Sequence, residues 1–533
     1  MFDVILFSDS PEPLTKTRGY GVYRLATHIR ARGYSCLVID FMSAISYSTF
    51  RELIDLAVGD NTLMVGFSTT WLPYRLSGKA PQLNDPGMNS RKLADLEYRS
   101  RDGEEFTSSL ATVFANGKAD HWLEYIKKKN SKIKLVSGGS KVAFYMDLKL
   151  IDHYLIGVGE TMTIDLLDKL SGKSKRVFNK IIDHDPKAQM PVWDFRDSST
   201  SYTDQDFITS NETLSLEVGR GCRFKCTFCS YPLIGQKNIN DYLKHSEVIR
   251  RELLENYERW GTTSYYIVDD TFNDTTEKLQ MFLDVTNSLP FKIKFWCYLR
   301  LDLLAIHPEQ ITMLKEMGLE QCYFGIETFN DKASQAIGKG MKAEKRKRAL
   351  ADCRKIWGDS VLIQAGFMVG LPFEDSSSII KTAEWIASDE NPIDECWMFP
   401  LSIAGKHEMT KYMTTSEMDR NYEKWGYYLP DPEKYWNWSK NDDTDIESCE
   451  KAEELSKQCW KKYVEHKNKP NKGDFYLATL DHPILKDREK AKQLTNEEYD
   501  SLIKSIDRSK LYVDTVTTQY IIPLIDNLRN ARN

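Results

Sequence analysis

Two stretches of the chain alternate short apolar runs with longer amphipathic segments. In residues 1–172 the apolar runs lie at 2–7, 35–40, 62–68, 133–138 and 153–159. Between them fall segments with helical spacing, such as YGVYRLATHIRARG and DHWLEYIKKKN. Continuous apolar runs of strand length, alternating with amphipathic helices, predict a parallel sheet covered on both faces. A polar insertion at about 72–118 follows the third run, at the carboxyl end of the sheet, where open α/β sheets bind ligands. A flexible loop and a lid are both open readings of it.

The alternation resumes over residues 211–400, with apolar runs at 213–219, 264–270, 292–299, 321–327, 361–370 and 395–401. Six strand–helix repeats predict a (βα)6 partial barrel, whose chemistry sits at the carboxyl ends of the strands. Residues 173–210 are polar and mixed and read as a linker. Residues 401–533 lose the alternation and read as a mostly helical C-terminal region. The fold class is therefore α/β, with a Rossmann-like N-terminal sheet, a central partial barrel and a helical tail.

The chain has 533 residues, 41% hydrophobic and 28% charged, with a net charge of −6. That length predicts more than one domain, and the acidic balance disfavours a nucleic-acid surface. No run of eighteen apolar residues predicts a membrane span. The start, MFDVILFSDS, lacks a basic flank and reads as a first strand and not as a signal peptide. Ten cysteines, mostly scattered, suit a reducing cytoplasm and not a disulfide framework.

Three of those cysteines cluster. GRGCRFKCTFCSYP places Cys222, Cys226 and Cys229 as C-x3-C-x2-C on the loop after the first barrel strand. Thiolates suit zinc or the irons of an iron–sulfur cluster. A structural zinc site needs four ligands, and no fourth cysteine or histidine is near; His245 is the next candidate. Three thiolates can hold three irons of a [4Fe–4S] cubane and leave the fourth iron open to a ligand. Cys297, Cys322 and Cys396 lie in strand patterns and read as small core residues.

This motif, with Phe228 before its last cysteine, resembles that of the radical S-adenosylmethionine (SAM) superfamily, and the likeness runs over about 211–400. There the resemblance implies that the open iron chelates SAM and that its reductive cleavage gives a 5′-deoxyadenosyl radical. YYIVDDTFN resembles the family's second strand, with Asp269 and Asp270 at its end. FWCYLRLDLL resembles the third, with Arg300 suited to a carboxylate. GLEQCYFGIETFNDKASQAIGKG resembles the fourth and places Glu327 at the rim. QAGFMVGLPFED resembles the fifth and places Gly370 near adenine. The resemblance thus implies cofactor contacts from Phe228, Asp269, Asp270, Arg300, Glu327 and Gly370. Read on their own chemistry, the two aspartates could instead cap the next helix. Arg300 could pair Asp302 or Glu327, Glu327 could be a structural ion-pair partner, and the glycine could serve a turn.

Residues 1–172 resemble the cobalamin-binding-type domain that precedes many such barrels, through GYGVYRLATHIRARGYSCLVIDF, TLMVGFSTTW, KLVSGGSKVAF and IDHYLIGVGETMTIDLLDKL. The bare backbone at Gly138, Gly139, Gly157 and Gly159 would let a ligand tail approach closely. Where cobalamin binders carry D-x-H-x-x-G, this chain has SDSPEPLTKTRGYG, without histidine. With cobalamin the resemblance implies methyl transfer to an unactivated centre; without it, a rearrangement or cyclisation. It also implies a small-molecule or peptide substrate and an electron donor such as flavodoxin or ferredoxin. A methylthiotransferase would carry three more cluster cysteines in its N-terminal domain, whereas only Cys36 precedes residue 222. A non-catalytic iron–sulfur or zinc scaffold would bind a partner through the aromatics of 421–438, among them Trp425, Tyr427, Tyr428, Tyr435, Trp436 and Trp438. Packing against the barrel is their other reading.

Overall fold

A computed structural model describes residues 1–10, 14–68, 98–99, 105–106, 118–139, 149–157, 159–183, 195–229, 235, 238–403, 416–429, 437–438, 444–467, 472–474 and 477–532. Most of the insertion at 72–118 lies outside them, as do Tyr435 and Trp436. No described helix is long and apolar enough to cross a membrane.

Six parallel strands form the first sheet: β1 (Val4–Phe7), β2 (Cys36–Ile39), β3 (Met64–Ser68), β4 (Lys134–Gly138), β5 (His153–Ile156) and β6 (Ile181–Asp183). Their order is β2-β1-β3-β4-β5-β6, so the winding reverses beside β1. The apolar runs are continuous because both faces are covered. Val4, Leu6 and Val38 pack with residues of α1 (Tyr20–Ala31) and α4 (Gly159–Leu170). Ile5, Phe7, Leu37 and Ile39 pack with α2 (Tyr47–Ala57) and α3 (Lys118–Lys129). β6 falls inside the segment expected to be linker. It is a three-residue edge strand paired with β5, too short to show as an apolar run.

The second sheet is also parallel and six-stranded, with its strands side by side in chain order: β7 (Thr213–Leu216), β8 (Ser264–Ile267), β9 (Lys294–Leu299), β10 (Leu319–Glu327), β11 (Leu362–Val369) and β12 (Glu395–Pro400). This is the expected partial barrel. Cys297, Cys322 and Cys396 are at most 1% exposed and sit in its outer core as small apolar residues.

The tail divides. Helix Cys449–Lys467 packs beside the last barrel strand, where the Tyr463 hydroxyl donates to Asp394 O (2.6 Å). Residues 477–528 instead join the N-terminal sheet, adding Leu480, Tyr512, Tyr520 and Leu524 to the core on its α2 face. The Tyr520 hydroxyl accepts from Asp40 N and donates to Val38 O, both at 3.0 Å. The chain therefore ends on the domain where it began.

One buried charge cluster ties these parts together. Glu212, just before β7, takes Lys16 Nζ at 2.8 Å and Arg18 Nε at 2.6 Å, with all three side chains shut off from solvent. The Arg18 guanidinium lies over the rings of Phe41 and Tyr520, 4.6 and 4.9 Å from their centres. Three long side chains with full charge are stable there only because each meets an opposite charge or an aromatic face. Glu212→Ala leaves two buried cations without their anion. It should cost about 3–5 kcal/mol, read as a lower urea midpoint. An unchanged midpoint would show that the junction does not hold the domains together.

Candidate active site

The cysteine loop starts where β7 ends, and Asp269 fixes its course. The Asp269 carboxylate accepts from Val218 N and Gly219 N, each at 2.8 Å, and from Lys278 Nζ at 2.7 Å. Lys278 also meets Asp274 (3.3 Å) and donates to Thr271 O (3.1 Å). A Cβ on Gly219 would stand 3.3 Å from the Asp269 oxygen and from Tyr242, a close fit that a side chain would crowd. Arg220 N donates to Tyr242 O (2.8 Å), and Gly221 turns at φ +101°. Farther on, Gly235 N donates to Cys222 O and Phe224 O (2.7 and 3.2 Å), and Cys229 N to Cys226 O (3.1 Å).

This places the three cysteines at the carboxyl end of the barrel. Cys222 is buried, with Sγ 3.5 Å from Thr271 Oγ1, while Cys226 and Cys229 are half-buried. Arg300, after β9, donates to Cys226 Sγ (3.2 Å), lies flat on Phe224 (3.9 Å) and forks onto Asp302 (2.6 Å). No group of three His, Cys, Asp or Glu among the described residues is gathered as for one metal ion. Thiolates that each take a different iron need not converge on one point. The donor set of three thiols on one loop, two of them reachable, with an arginine at one sulfur, fits an anionic iron–sulfur cluster. His245 precedes the next helix and pairs Asp197 (2.7 Å), away from the thiols.

The other expected contacts divide by what already occupies them. Asp269 has its carboxylate filled and holds the loop. Neither it nor Asp270 caps the next helix, because Thr275 does. Asp270 stands half-buried at the rim; burial, with the Asp269 carboxylate beside it, pushes it up to about 7. Phe228 packs partly against the core. Glu327 lies 3.6 Å from Lys339 Nζ, and burial pushes it up despite that lysine. Gly370 turns at φ +91°, donates its N–H to Glu374 (3.1 Å) and accepts the Tyr427 hydroxyl (2.7 Å). Glu327 and Phe373 take left-handed backbone (φ +68° and +70°). Such strain gathers where a rim is shaped for a ligand.

Two features were missed in the sequence. Glu374, in the LPFED run, is buried and ties two strand ends together: it accepts from Thr328 Oγ1 (2.5 Å), Gly370 N and Leu371 N (3.0 Å). The other is a buried link to the N-terminal domain. Arg220, two residues before Cys222, bridges Glu217 (2.7 Å) and Glu160 (2.9 Å), while the Tyr20 hydroxyl donates to Glu217 (2.9 Å). Burial alone would raise Glu217, but Arg220, Lys244 and Arg24 outweigh it and hold it well below the usual range. Glu160 opens α4, so the loop after β5 and the cysteine loop are locked together.

On the N-terminal edge, Asp9 accepts from Ser10 N and from Ser43 N and Oγ (2.8–3.0 Å). The glycines expected to admit a ligand tail are used by the fold. A Cβ on Gly159 would meet Leu25 at 3.3 Å and one on Gly138 would meet Leu155 at 3.4 Å, while Gly139 and Gly157 have positive φ. Ser8, Ser10 and Ser137 on this edge are buried, and the hydroxyls of the first two are bonded within the fold, to Asp9 O and Thr15 Oγ1. No imidazole stands among its described residues to ligate cobalt.

Residues 216–386 match the family model of the Radical SAM superfamily. A Methanocaldococcus jannaschii protein named as a methylthiotransferase is 24% identical over 289 residues, 50% of this chain and 61% of that one. The bacteriochlorophyllide d C-8(2)-methyltransferase of Chlorobaculum tepidum is 24% identical over 260 residues, 46% of this chain and 56% of that one. The chain thus spans less than two thirds of either relative. The solved structure of OxsB, a cobalamin-dependent SAM radical enzyme with aqua-cobalamin and SAM bound, shares the fold. Its TM-score is 0.52 at 13% identity, over 99% of this chain and 80% of that one.

Burial pushes the Glu374 carboxyl up to about 8, from a glutamate's usual 4.5. The folded protein then keeps a proton there that the unfolded chain gives up. This contribution to stability is complete below about 4.5 and is lost as pH rises through about 8. Glu374→Gln has no such proton to lose. Its melting temperature relative to the parent should therefore rise between pH 6 and pH 9. A constant difference would rule out the buried, protonated carboxyl.

Proposed function

With residues 216–386 forming a radical SAM domain, we propose that the protein is a radical SAM enzyme that transfers a methyl group, with cobalamin on its N-terminal domain. The observation that carries the reading is the set of three cysteines, without a fourth ligand nearby, on the loop after the first barrel strand. Cys222, Cys226 and Cys229 would hold a [4Fe–4S] cluster, where reductive cleavage of SAM supplies a 5′-deoxyadenosyl radical. An electron donor of the flavodoxin or ferredoxin class would serve it. Arg300 faces that place with one edge of its guanidinium and is oriented by Asp302 and Phe224, so it suits the methionine carboxylate of SAM. Asp270 and Glu327 stand at the rim for the ribose and amino ends. Gly370, bare and fixed by Glu374 and Tyr427, suits a close approach by adenine.

The likeness of the whole fold to a cobalamin-dependent enzyme supports a corrinoid on the carboxyl edge of the first sheet, which would supply methyl-transfer chemistry. The link from Glu160 through Arg220 to Glu217 holds that edge in register with the cysteine loop. Methylthiotransfer has less support, because only the buried Cys36 lies ahead of the motif, which leaves a second cluster without ligands.

Protein purified and reconstituted without oxygen should bind about four irons and cleave SAM under dithionite. Cys226→Ala should lose both. Normal iron with intact cleavage in that variant would sink the cluster assignment. Arg300→Met should weaken SAM binding about tenfold or more, as for a hydrogen bond to a charged group; unchanged affinity removes Arg300 from the site. Retention of a corrinoid band after desalting, with S-adenosylhomocysteine formed beside 5′-deoxyadenosine, would support methyl transfer. Formation of 5′-deoxyadenosine alone, with no corrinoid retained, would point to a cobalamin-free rearrangement or cyclisation.

A further inference from the structure

The inner face of the partial barrel is unusual in its side chains. Residues paired across parallel strands share a face, and successive residues alternate. Tyr266 pairs with Trp296, Tyr298 with Tyr323, and Gly366 with Trp397. Their strand neighbours Cys297, Cys322, Phe324, Ala365 and Cys396 are buried in the outer core, so the aromatic set faces the lumen. Barrel interiors are commonly filled by branched aliphatic residues. Here five rings follow one another, with centres 4.4 Å apart from Tyr266 to Trp296 and 4.8 Å from Trp296 to Tyr298. The next steps are 5.4 Å to Tyr323 and 5.9 Å to Trp397.

Polar side chains share the layers of the rings, Gln321 level with Trp296 and Gln364 level with Tyr323. The Gln364 side-chain carbonyl accepts from Trp296 Nε1 (3.3 Å) and Gln321 Nε2 (3.0 Å), and its amide donates to Glu395 (2.7 Å). Tyr266, Tyr298, Tyr323 and Trp397 are only half-buried, unlike the sealed outer face. A Cβ at Gly366 would overlap the Tyr323 hydroxyl. Glycine there lets that phenol lean along the strand toward the mouth, where the cysteine loop stands. Tyr323 and Trp397 are stacked on one another, their planes 26° from parallel.

We propose that this lumen receives the substrate through a planar aromatic or heteroaromatic ring, uncharged or cationic. A wall of aromatic side chains favours a guest that can stack on or edge against rings. The carboxylate of Glu395 on the same face opposes an anionic ring. The inference rests on the radical SAM reading, since it takes the lumen below the cysteine loop as the place of reaction.

The test uses the reconstituted full chain with SAM, and indole and cyclohexanol as probes, in saturation-transfer NMR. Indole should bind at least tenfold more tightly than cyclohexanol. Trp397→Leu, which keeps an apolar side chain, should lose about tenfold in indole affinity, while Tyr323→Phe, which keeps the ring, should lose less. Equal binding of the two probes, or indole binding unchanged in a folded Trp397→Leu protein, would overturn the proposal. SAM cleavage by the parent protein separates the two readings. Cleavage without preference for indole rejects the aromatic lumen alone. Indole binding without cleavage rejects the radical SAM reading.

Discussion

The Asp269 carboxylate is the contact on which the site depends. It sits at the end of the second barrel strand and grips the backbone just after the first, through two amide hydrogens. A buried carboxylate is costly unless its charge is met, and Lys278 meets it from the next helix while reaching Asp274 and Thr271 O. The aspartate alone would be an uncompensated anion, and the lysine alone an uncompensated cation. Together they turn the ends of two strands into one rigid corner. The cysteine loop hangs from that corner, so the positions of its thiols follow from a charge pair that touches none of them.

A second layer of charge connects this corner to the first sheet. Arg220 stands between the cysteine loop and the start of the helix after β5 and pairs with both Glu217 and Glu160, with Lys244 also beside the first and Arg24 beside the second. Lys16 and Arg18 likewise pair with Glu212 at the entry to the barrel. Buried ion pairs resist displacement, because a small shift leaves a charge without its partner. They join a continuous apolar core that runs from the first sheet to the barrel, and together these fix the register of the two sheets.

The strands were legible because parallel sheets buried on both faces demand continuous apolar runs, and all five expected N-terminal strands and all six barrel strands form. Ile181–Asp183 escaped because an edge strand of three residues among lysines has no run to show. The tail was legible as helical, but not in its docking. Amphipathic spacing shows that a helix has an apolar face, and says nothing of which surface covers it; residues 477–528 cover the first sheet and not the barrel. The cysteine motif was readable from spacing alone. The division of labour between Asp269 and Asp270 was not, because it turns on Lys278, which lies nine residues downstream of Asp269. Glu374 and Arg220 were invisible for the same reason: their roles come from partners on other elements.

The lumen shows why the distinction between structural and functional aromatics has to be made face by face. On the outer surface of the barrel strands, Cys297, Phe324 and Phe367 are sealed and serve only to pack helices. On the inner surface of the same strands Tyr266, Tyr298, Tyr323 and Trp397 are half-buried, with the amides of Gln321 and Gln364 in the same layers. Gly366 leaves room on that surface for the Tyr323 hydroxyl, which a Cβ there would overlap. The carboxyl end of that surface and the loop of thiols share one end of the barrel.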